Sequence, residues 1–380
     1  MAEQPRNFGF GEDETMLRDS ARKFFADNYS ADKLHGLVAE DPNIHRPNEC
    51  IWNKAHWQQI VELGWPAACI PEDAGGIGMP LVAAVALAEE AGKAGFPSPL
   101  LSTFNSAFVL MACTGDTAKE ALGSIAAGKA TSLAVTNKSG SWEATDTDVT
   151  INSSGRLNGN AYFVQDARKA EQFVVSAHGD KGVGLYVVDA KANGLTLTPD
   201  AIIDLTRDQA ALGFANVEAT EVAAPGTGAA ALEAALPSIL CIVSADMVGA
   251  GEWLLQTTVE YAKTRVQFDR PLGFFQAVKH PLVNVMLAID RAKSLTYNAA
   301  CAVDHEPEGA LPLARMAKSE AGDMAVFSSS RAVQFHGGIG FTWECYVHMF
   351  FKRQMHNQVL FGDARHHRAA LANLLVGAAA

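Results

Sequence analysis

One carboxylate stands out in the 380-residue sequence because of its surroundings. Asp246 is the only charged residue between Glu233 and Glu252, inside the apolar run LCIVSADMVGAG. A carboxylate in such a setting must be paired with a cation or have a shifted proton affinity. A perturbed carboxylate suits a general base; the plain alternative is a structural ion pair with an Arg of another helix, such as Arg291 or Arg331. A second feature lies between residues 261 and 280, where Lys263, Arg265, Arg270 and Lys279 face a single acid, Asp269, a local formal charge of +3 in a chain of net charge -12. Such a patch can hold a pyrophosphate, although Lys and Arg at a helix C-terminus also complement the helix dipole. The third is Gln334 with Gly337, Gly338 and Gly340. Glycines let a ligand approach the backbone, and they equally make a turn between helices.

Other residue types carry less. His348, His356, His366 and His367 are spaced by 8, 10 and 1, without the i, i+4 pair of a zinc-binding helix and without a nearby Cys, so no metal is expected. The six cysteines are scattered with no C-x-x-C pair, which fits a reducing compartment. The acidic balance disfavours nucleic acid as a partner. The opening stretch MAEQPRNFGFGEDE lacks the apolar core of a signal peptide, and no run approaches about 18 uninterrupted apolar residues, so no membrane association and a cytoplasmic location are expected.

These residues need elements to position them. With 48% hydrophobic and 19% charged residues, the chain can bury a large core and is long enough for two or three domains. Residues 12–28 place Met16, Leu17, Ala21, Phe24 and Phe25 in an approximate helical stripe with acids at its start. WNKAHWQQIVELG reads as a second helix stopping at Gly64, and VAAVALAEEAGKAG as another after the turn-rich CIPEDAGGIGMP. Between about 130 and 222, TSLAVT, DTDVTINSSG, LNGNAYFVQDA, QFVVSA, GLYVVDA and GLTLTP are short runs with turn residues between them, the pattern of a small β domain. Helical patterning then returns to the end of the chain. The expected architecture is α+β: an N-terminal helical domain (1–128), a middle β domain (129–224) and a C-terminal helical bundle (225–380).

The motifs, in this order, resemble the acyl-CoA dehydrogenase family over nearly the whole chain. YAKTRVQFDRPLGFFQAVKHPL is similar to that family's segment of Arg, Phe and Gln ahead of a long helix, and VQFHGGIGFTWE is similar to its Gln-x-x-Gly-Gly-x-Gly loop. The resemblance implies FAD as cofactor, an acyl-CoA substrate, and α,β-dehydrogenation by α-proton abstraction with hydride passing to flavin N5. It implies that Arg265, Phe268 and Gln276 contact the dinucleotide of a neighbouring subunit, and that Gln334, Gly337 and Gly338 let it approach the backbone. AVTNKSGS is similar to the family's flavin segment, which gives Val135, Thr136, Gly140 and Ser141 roles at the ring and phosphate and places Phe163 beside the isoalloxazine. A homo- or hetero-tetramer and an electron-transfer flavoprotein as electron acceptor are also implied.

The base is where the sequence departs from the family. The loop that usually reads Tyr-Glu-Gly-Thr reads Leu360, Phe361, Gly362 and Asp363, and the family's second base position, on the first helix of the bundle, holds Ile239. Asp246 lies seven residues along that helix on nearly the same face, which makes it the expected base, with Asp363 as fallback. Asp269 stands for the usual Gly, Asn137 for a Glu and Gln165 for a Thr or Ser. Some relatives, notably in bacterial sterol side-chain breakdown, pair two unlike subunits with only part of the sites functional. The chain therefore reads as a dehydrogenase, including one for bulky or steroid-derived acyl groups, or as a non-catalytic partner that completes a shared FAD site.

Overall fold

The computed structural model describes residues 5–45 and 50–377, so the first four residues of the opening stretch read above lie outside the described residues. Helices come first: α1 (Glu12–Asn28), α2 (Ala31–Ala39), α3 (Lys54–Glu62), α4 (Leu81–Ala94), α5 (Leu100–Met111) and α6 (Asp116–Ala126). The α1 boundaries match the stripe read from sequence, with Ala21, Phe24 and Phe25 buried and Glu12, Asp13 and Glu14 in the first turn. Gly64 follows α3 in the left-handed region at φ 76, a conformation that costs glycine little.

Eight strands follow in one sheet: β1 (Thr131–Ala134), β2 (Asp148–Ile151), β3 (Arg156–Gln165), β4 (Gln172–Gly179), β5 (Gly182–Asp189), β6 (Leu195–Pro199), β7 (Gln209–Glu218) and β8 (Thr220–Ala223). The order is β6-β7-β3-β2-β4-β5-β8, with β1 parallel to β4. Val149, Leu157, Val164, Phe173, Val175, Leu212 and Phe214 form its core. Strand β7, QAALGFANVE, was not singled out from sequence, because its Ala and Gly residues carry little β propensity. Antiparallel pairing to β3 on one side and β6 on the other makes it a strand.

The remaining elements are α7 (Gly228–Thr264), a hairpin of β9 (Val266–Gln267) and β10 (Arg270–Pro271), then α8 (Gln276–His305), α9 (Pro307–His336), α10 (Val347–Asn357) and α11 (Ala364–Val376). Length and composition would let α7 cross a membrane, but 67% of its most apolar 18-residue window is buried inside the protein. The chain divides into two compact units. One comprises Met1–Pro42, Leu81–Phe96 and Leu240–Ala380; the other comprises Asn43–Pro80 and Pro97–Ile239 and contains the sheet.

In the helical unit, α4 and α7 touch backbone to backbone. A Cβ on Gly249 would lie 1.9 Å from the Glu89 carbonyl oxygen, and one on Gly92 would lie 2.1 Å from that of Asp246. Beside this contact the Glu89 carboxylate, 2% exposed, receives Lys293 Nζ at 2.5 Å and the Tyr297 hydroxyl at 3.0 Å, while Lys293 also reaches Glu252 at 2.9 Å. Burial raises the proton affinity of Glu89, and the Lys293 charge opposes that rise.

Two buried histidines add a pH dependence. Burial, with Lys352 and His35 nearby, pushes His348 down to about 4 from 6.5. Burial, then Lys318, Arg315 and His366, push His367 down to about 3. The folded state resists protonation more than the unfolded state, so their contribution is complete above the unfolded value and is lost as pH falls below it. The melting temperature should therefore fall between pH 7 and pH 5, and a double His348→Gln, His367→Gln variant should show a shallower fall over that interval. Gly249→Ala should lower stability by about 3 kcal/mol or more, because backbone must move to admit the methyl group; thermal unfolding against the wild type measures it.

Candidate functional site

In the helical unit the cationic segment begins where α7 ends. Arg265 leads into the β9–β10 hairpin, whose two-residue turn is Phe268–Asp269 with φ 53 and 58. A turn with two left-handed residues suits the twist of a hairpin but normally recruits Asn or Gly, so holding Phe there carries a conformational cost. Phe268 projects from the tip at 86% exposure. Lys263 is engaged by Glu260 at 2.6 Å. Arg265, Arg270 and Lys279 form no ion pair among the described residues, although Arg270 lies over the Phe274 ring at 5.3 Å. Gln276 opens α8 and is exposed.

The glycine segment lies close to this one. Tyr261, in the last turns of α7, stacks on His336 at the end of α9, with ring centroids 4.3 Å apart and planes 21° from parallel. The stack brings together the two chain ends that lead into Arg265 and Gly337. Gly337 has φ 64, and a Cβ on either Gly337 or Gly338 would meet nothing within 4 Å. Gln334 is exposed one turn earlier. Open backbone, unpaired guanidinium groups and a projecting aromatic ring fit the phosphates and adenine of a dinucleotide. Asp269 is the one charge in the segment that opposes it.

In the sheet unit, Val135 and Thr136 follow β1, and the buried Thr136 accepts the Tyr162 N–H on its carbonyl at 2.9 Å. Asn137 Oδ1 accepts from Ser139 N, Ser139 Oγ and Ser141 N, so the residue found in place of the family's Glu organises the loop that carries Gly140. The Ser141 hydroxyl donates to Asp146 at 2.6 Å and accepts from Glu143 N at 3.2 Å, which leaves it no spare proton for a phosphate. Phe163 sits where the pairing of β3 with β7 slips, at φ 55 and 37% exposed, and a Cβ on Gly140 would stand 3.7 Å from its ring. An aromatic held half-exposed on a strained bulge is not ordinary core, and it is suited to lie against a flat ring. Gln165 Nε2 is spent on the Phe163 carbonyl and on Gln209, at 2.9 and 2.8 Å.

Asp246 has no exposed surface. One of its oxygens receives Arg353 Nη2 at 2.5 Å; the other receives Arg353 Nε at 3.1 Å and the Asn357 amide. A general base must come within hydrogen-bond reach of the proton it removes, and here both oxygens face α10. The geometry is that of the structural ion pair, with Arg353 as partner rather than Arg291 or Arg331; Arg291 instead pairs with Glu320 at 2.5 Å. The expectation that Asp246 is the base is revised on this ground. Asp363 also differs from its expected fallback role: as N-cap of α11 its carboxylate accepts the His366 N–H at 2.8 Å. Phe361 is 8% exposed at φ 56, and Ile239 is 2% exposed.

Three residues that organise this region were not singled out from sequence. Arg353 and Asn357 are one turn apart on α10, so both reach Asp246; the i, i+4 spacing was visible, but the partner helix was not. Lys318 on α9 is fully buried and donates to the Gln358 and Gly362 carbonyls at 2.9 and 2.8 Å, which ties down the loop that carries Phe361. Burial pushes its ammonium down to about 7.

A helices–sheet–helices chain with this cationic hairpin, open glycine turn and aromatic bulge has the features of a dinucleotide-binding protein. Comparison with known proteins narrows the class. The model of the acyl-CoA dehydrogenase C-terminal domain matches residues 226–375, and that of the N-terminal domain matches residues 11–129. The acyl-CoA dehydrogenase IpdE2 of Mycobacterium tuberculosis is 31% identical over 350 residues, covering 90% of this chain and 91% of that protein. Among solved structures, a variant of the Tcur3481–Tcur3483 steroid ACAD is 27% identical with a TM-score of 0.85, covering 97% of this chain and 98% of the other. The ChsE4–ChsE5 complex from Mycobacterium tuberculosis shares the fold, with a TM-score of 0.85 at 22% identity over 98% of this chain and all of that one. The chain belongs to the acyl-CoA dehydrogenase family and is an FAD-dependent dehydrogenase.

The ion-pair geometry makes a specific prediction. Asp246→Asn should destabilise the chain by about 3–5 kcal/mol, because Arg353 is left charged and buried without its counter-ion. Denaturation should show the loss, while turnover per bound flavin of the folded variant, assayed together with any partner subunit that the wild type needs for activity, should stay near wild type. Loss of turnover at unchanged stability would restore Asp246 as the base.

Proposed function

We propose that this chain is one subunit of a heteromeric acyl-CoA dehydrogenase acting on a bulky, ring-containing acyl thioester, and that a paralogous subunit supplies the carboxylate that removes the α-proton. The observation that carries this reading is that none of the four positions considered for the base, among the described residues, offers a carboxylate that is both accessible and free of another role. Phe361 and Ile239 occupy the two family positions, Asp246 is sealed by Arg353 and Asn357, and Asp363, although exposed, commits one oxygen to the cap of α11.

The chain's own contribution is binding and orientation. Arg265 would neutralise pyrophosphate charge, with Phe268 and Gln276 beside it; Gln334, Gly337 and Gly338 would admit adenine and phosphate to the backbone. Val135, Thr136, Gly140 and Phe163 would present backbone and an aromatic face to the ring, and Ser141 would join them only by giving up its bond to Asp146. FAD, when bound, supplies the acceptor for the β-hydrogen as hydride. An electron-transfer flavoprotein is the proposed onward acceptor. Exposed Val283, Met286 and Leu287 form an apolar strip on α8 that suits contact with another subunit.

Two relatives support the heteromeric and ring-substrate parts of this reading, since one is described as a steroid ACAD and each is named by two components. The chain should be purified alone and together with its paralogue, and each preparation titrated with straight-chain, branched and steroid-like CoA esters. Bleaching of the flavin absorbance and turnover are expected only from the pair, with the ring-containing ester best. A homo-oligomer of this chain that turns over at the rate of the pair would overturn the proposal.

A further inference from the structure

A separate pocket in the helical unit has no part in the reading above. It is open, about 260 Å³ in volume, and bounded by α1, α4, the start of α2, and single residues of α7 and α10. Its apolar lining is aromatic: Phe25 and Tyr29 come from the end of α1, and Trp253 stacks on Phe350 with ring centroids 3.8 Å apart and planes within 13°.

Three groups with N–H donors to spare converge on this lining. Lys93 stands at its edge, and among the described residues its ammonium has Glu252 as its one acidic partner, at 3.6 Å, too far for a hydrogen bond. Glu252 is already bonded to Lys293. Arg22 spends its Nε on Glu90 at 2.6 Å, and one further nitrogen lies 3.6 Å from Asp19. The third group is the N-terminus of α2, where Ser30 and Ala31 line the pocket and the first-turn N–H groups have no carbonyl within their helix. Against these stands one lining carboxylate, Glu90, which Arg22 already uses.

We propose that this pocket is a binding site for a small monocarboxylate with a ring-shaped apolar body. Its carboxylate would sit between Lys93, Arg22 and the start of α2, and its ring would cover the aromatic lining. The chemistry selects both halves. A bare phosphate would meet the donors but make no use of the aromatic walls, and an uncharged ring would leave the Lys93 ammonium without a hydrogen-bond acceptor, since Glu252 stands 3.6 Å away. The volume lies just below the usual range for ligand pockets, which limits the occupant to one or two fused rings.

The test uses the full chain with 2-naphthoate as probe and 2-naphthamide and inorganic phosphate as controls. Calorimetry should show saturable 2-naphthoate binding, accompanied by quenching of tryptophan fluorescence that Trp253→Phe removes. Lys93→Met should weaken binding about ten-fold or more. Ala31→Glu, which puts a negative charge into the pocket at a helix position that favours one, should abolish it without loss of folding. The amide and phosphate should each bind at least about ten-fold more weakly than the acid. Absence of saturable binding up to about 1 mM, or an affinity unchanged in both Lys93→Met and Ala31→Glu, would overturn the proposal; the second result would show that the probe binds elsewhere.

Discussion

Three helices of the helical unit are fixed by one constraint: α7 must lie against α4 with no side chain between them while its single buried carboxylate faces α10. Gly92 and Gly249 make the first part physical, since each faces a carbonyl of the other helix at a distance that excludes any Cβ. The second part follows from charge. A carboxylate removed from water needs a cation and further donors, and α10 supplies both with Arg353 and Asn357. Close backbone packing and a buried ion pair thus meet at one residue, Asp246, whose carbonyl faces α4 and whose side chain faces α10. The one acid in the apolar stretch of α7 is thereby engaged with α10 through both of its oxygens.

The loop beyond α10 is governed in a related way. Lys318 is buried beneath it and bonded to two of its carbonyls, and Asp363 is taken up as the cap of α11. The loop is therefore pinned from both sides, and the side chain it carries in place of a carboxylate is the buried Phe361. By contrast, the residues suited to a dinucleotide are left open. Arg265 and Arg270 lack acidic partners among the described residues, the Gly337–Gly338 backbone faces empty space, and Phe163 keeps part of its ring in solvent despite an unfavourable backbone conformation. Asp246 is thus satisfied by a cation inside the protein, while Arg265 and Arg270 keep no acidic partner among the described residues.

Local chemistry was legible from sequence where it depends on neighbours in the chain. The α1 stripe, the stop at Gly64, the succession of short β runs and the cationic segment around Arg265 all follow from periodicity, turn residues and charge within short windows. Strand β7 was not legible, because Ala and Gly in QAALGFANVE state no preference and only pairing with β3 and β6 makes a strand of them. The hairpin turn at Phe268–Asp269 was hidden for a similar reason: neither residue advertises a left-handed conformation.

The sequence by itself determined that Asp246 could not be an ordinary surface carboxylate, since no other charge lies between Glu233 and Glu252 to keep that stretch in water. It also determined that the two family base positions lack an acid. What only the tertiary structure decided is which of two fates a buried carboxylate meets, poised base or structural ion pair. Both satisfy the same local pattern, and they differ in whether a cation from elsewhere in the chain reaches the group. Arg353 is 107 residues away in sequence, and it is the packing of α10 on α7 that brings its guanidinium to Asp246.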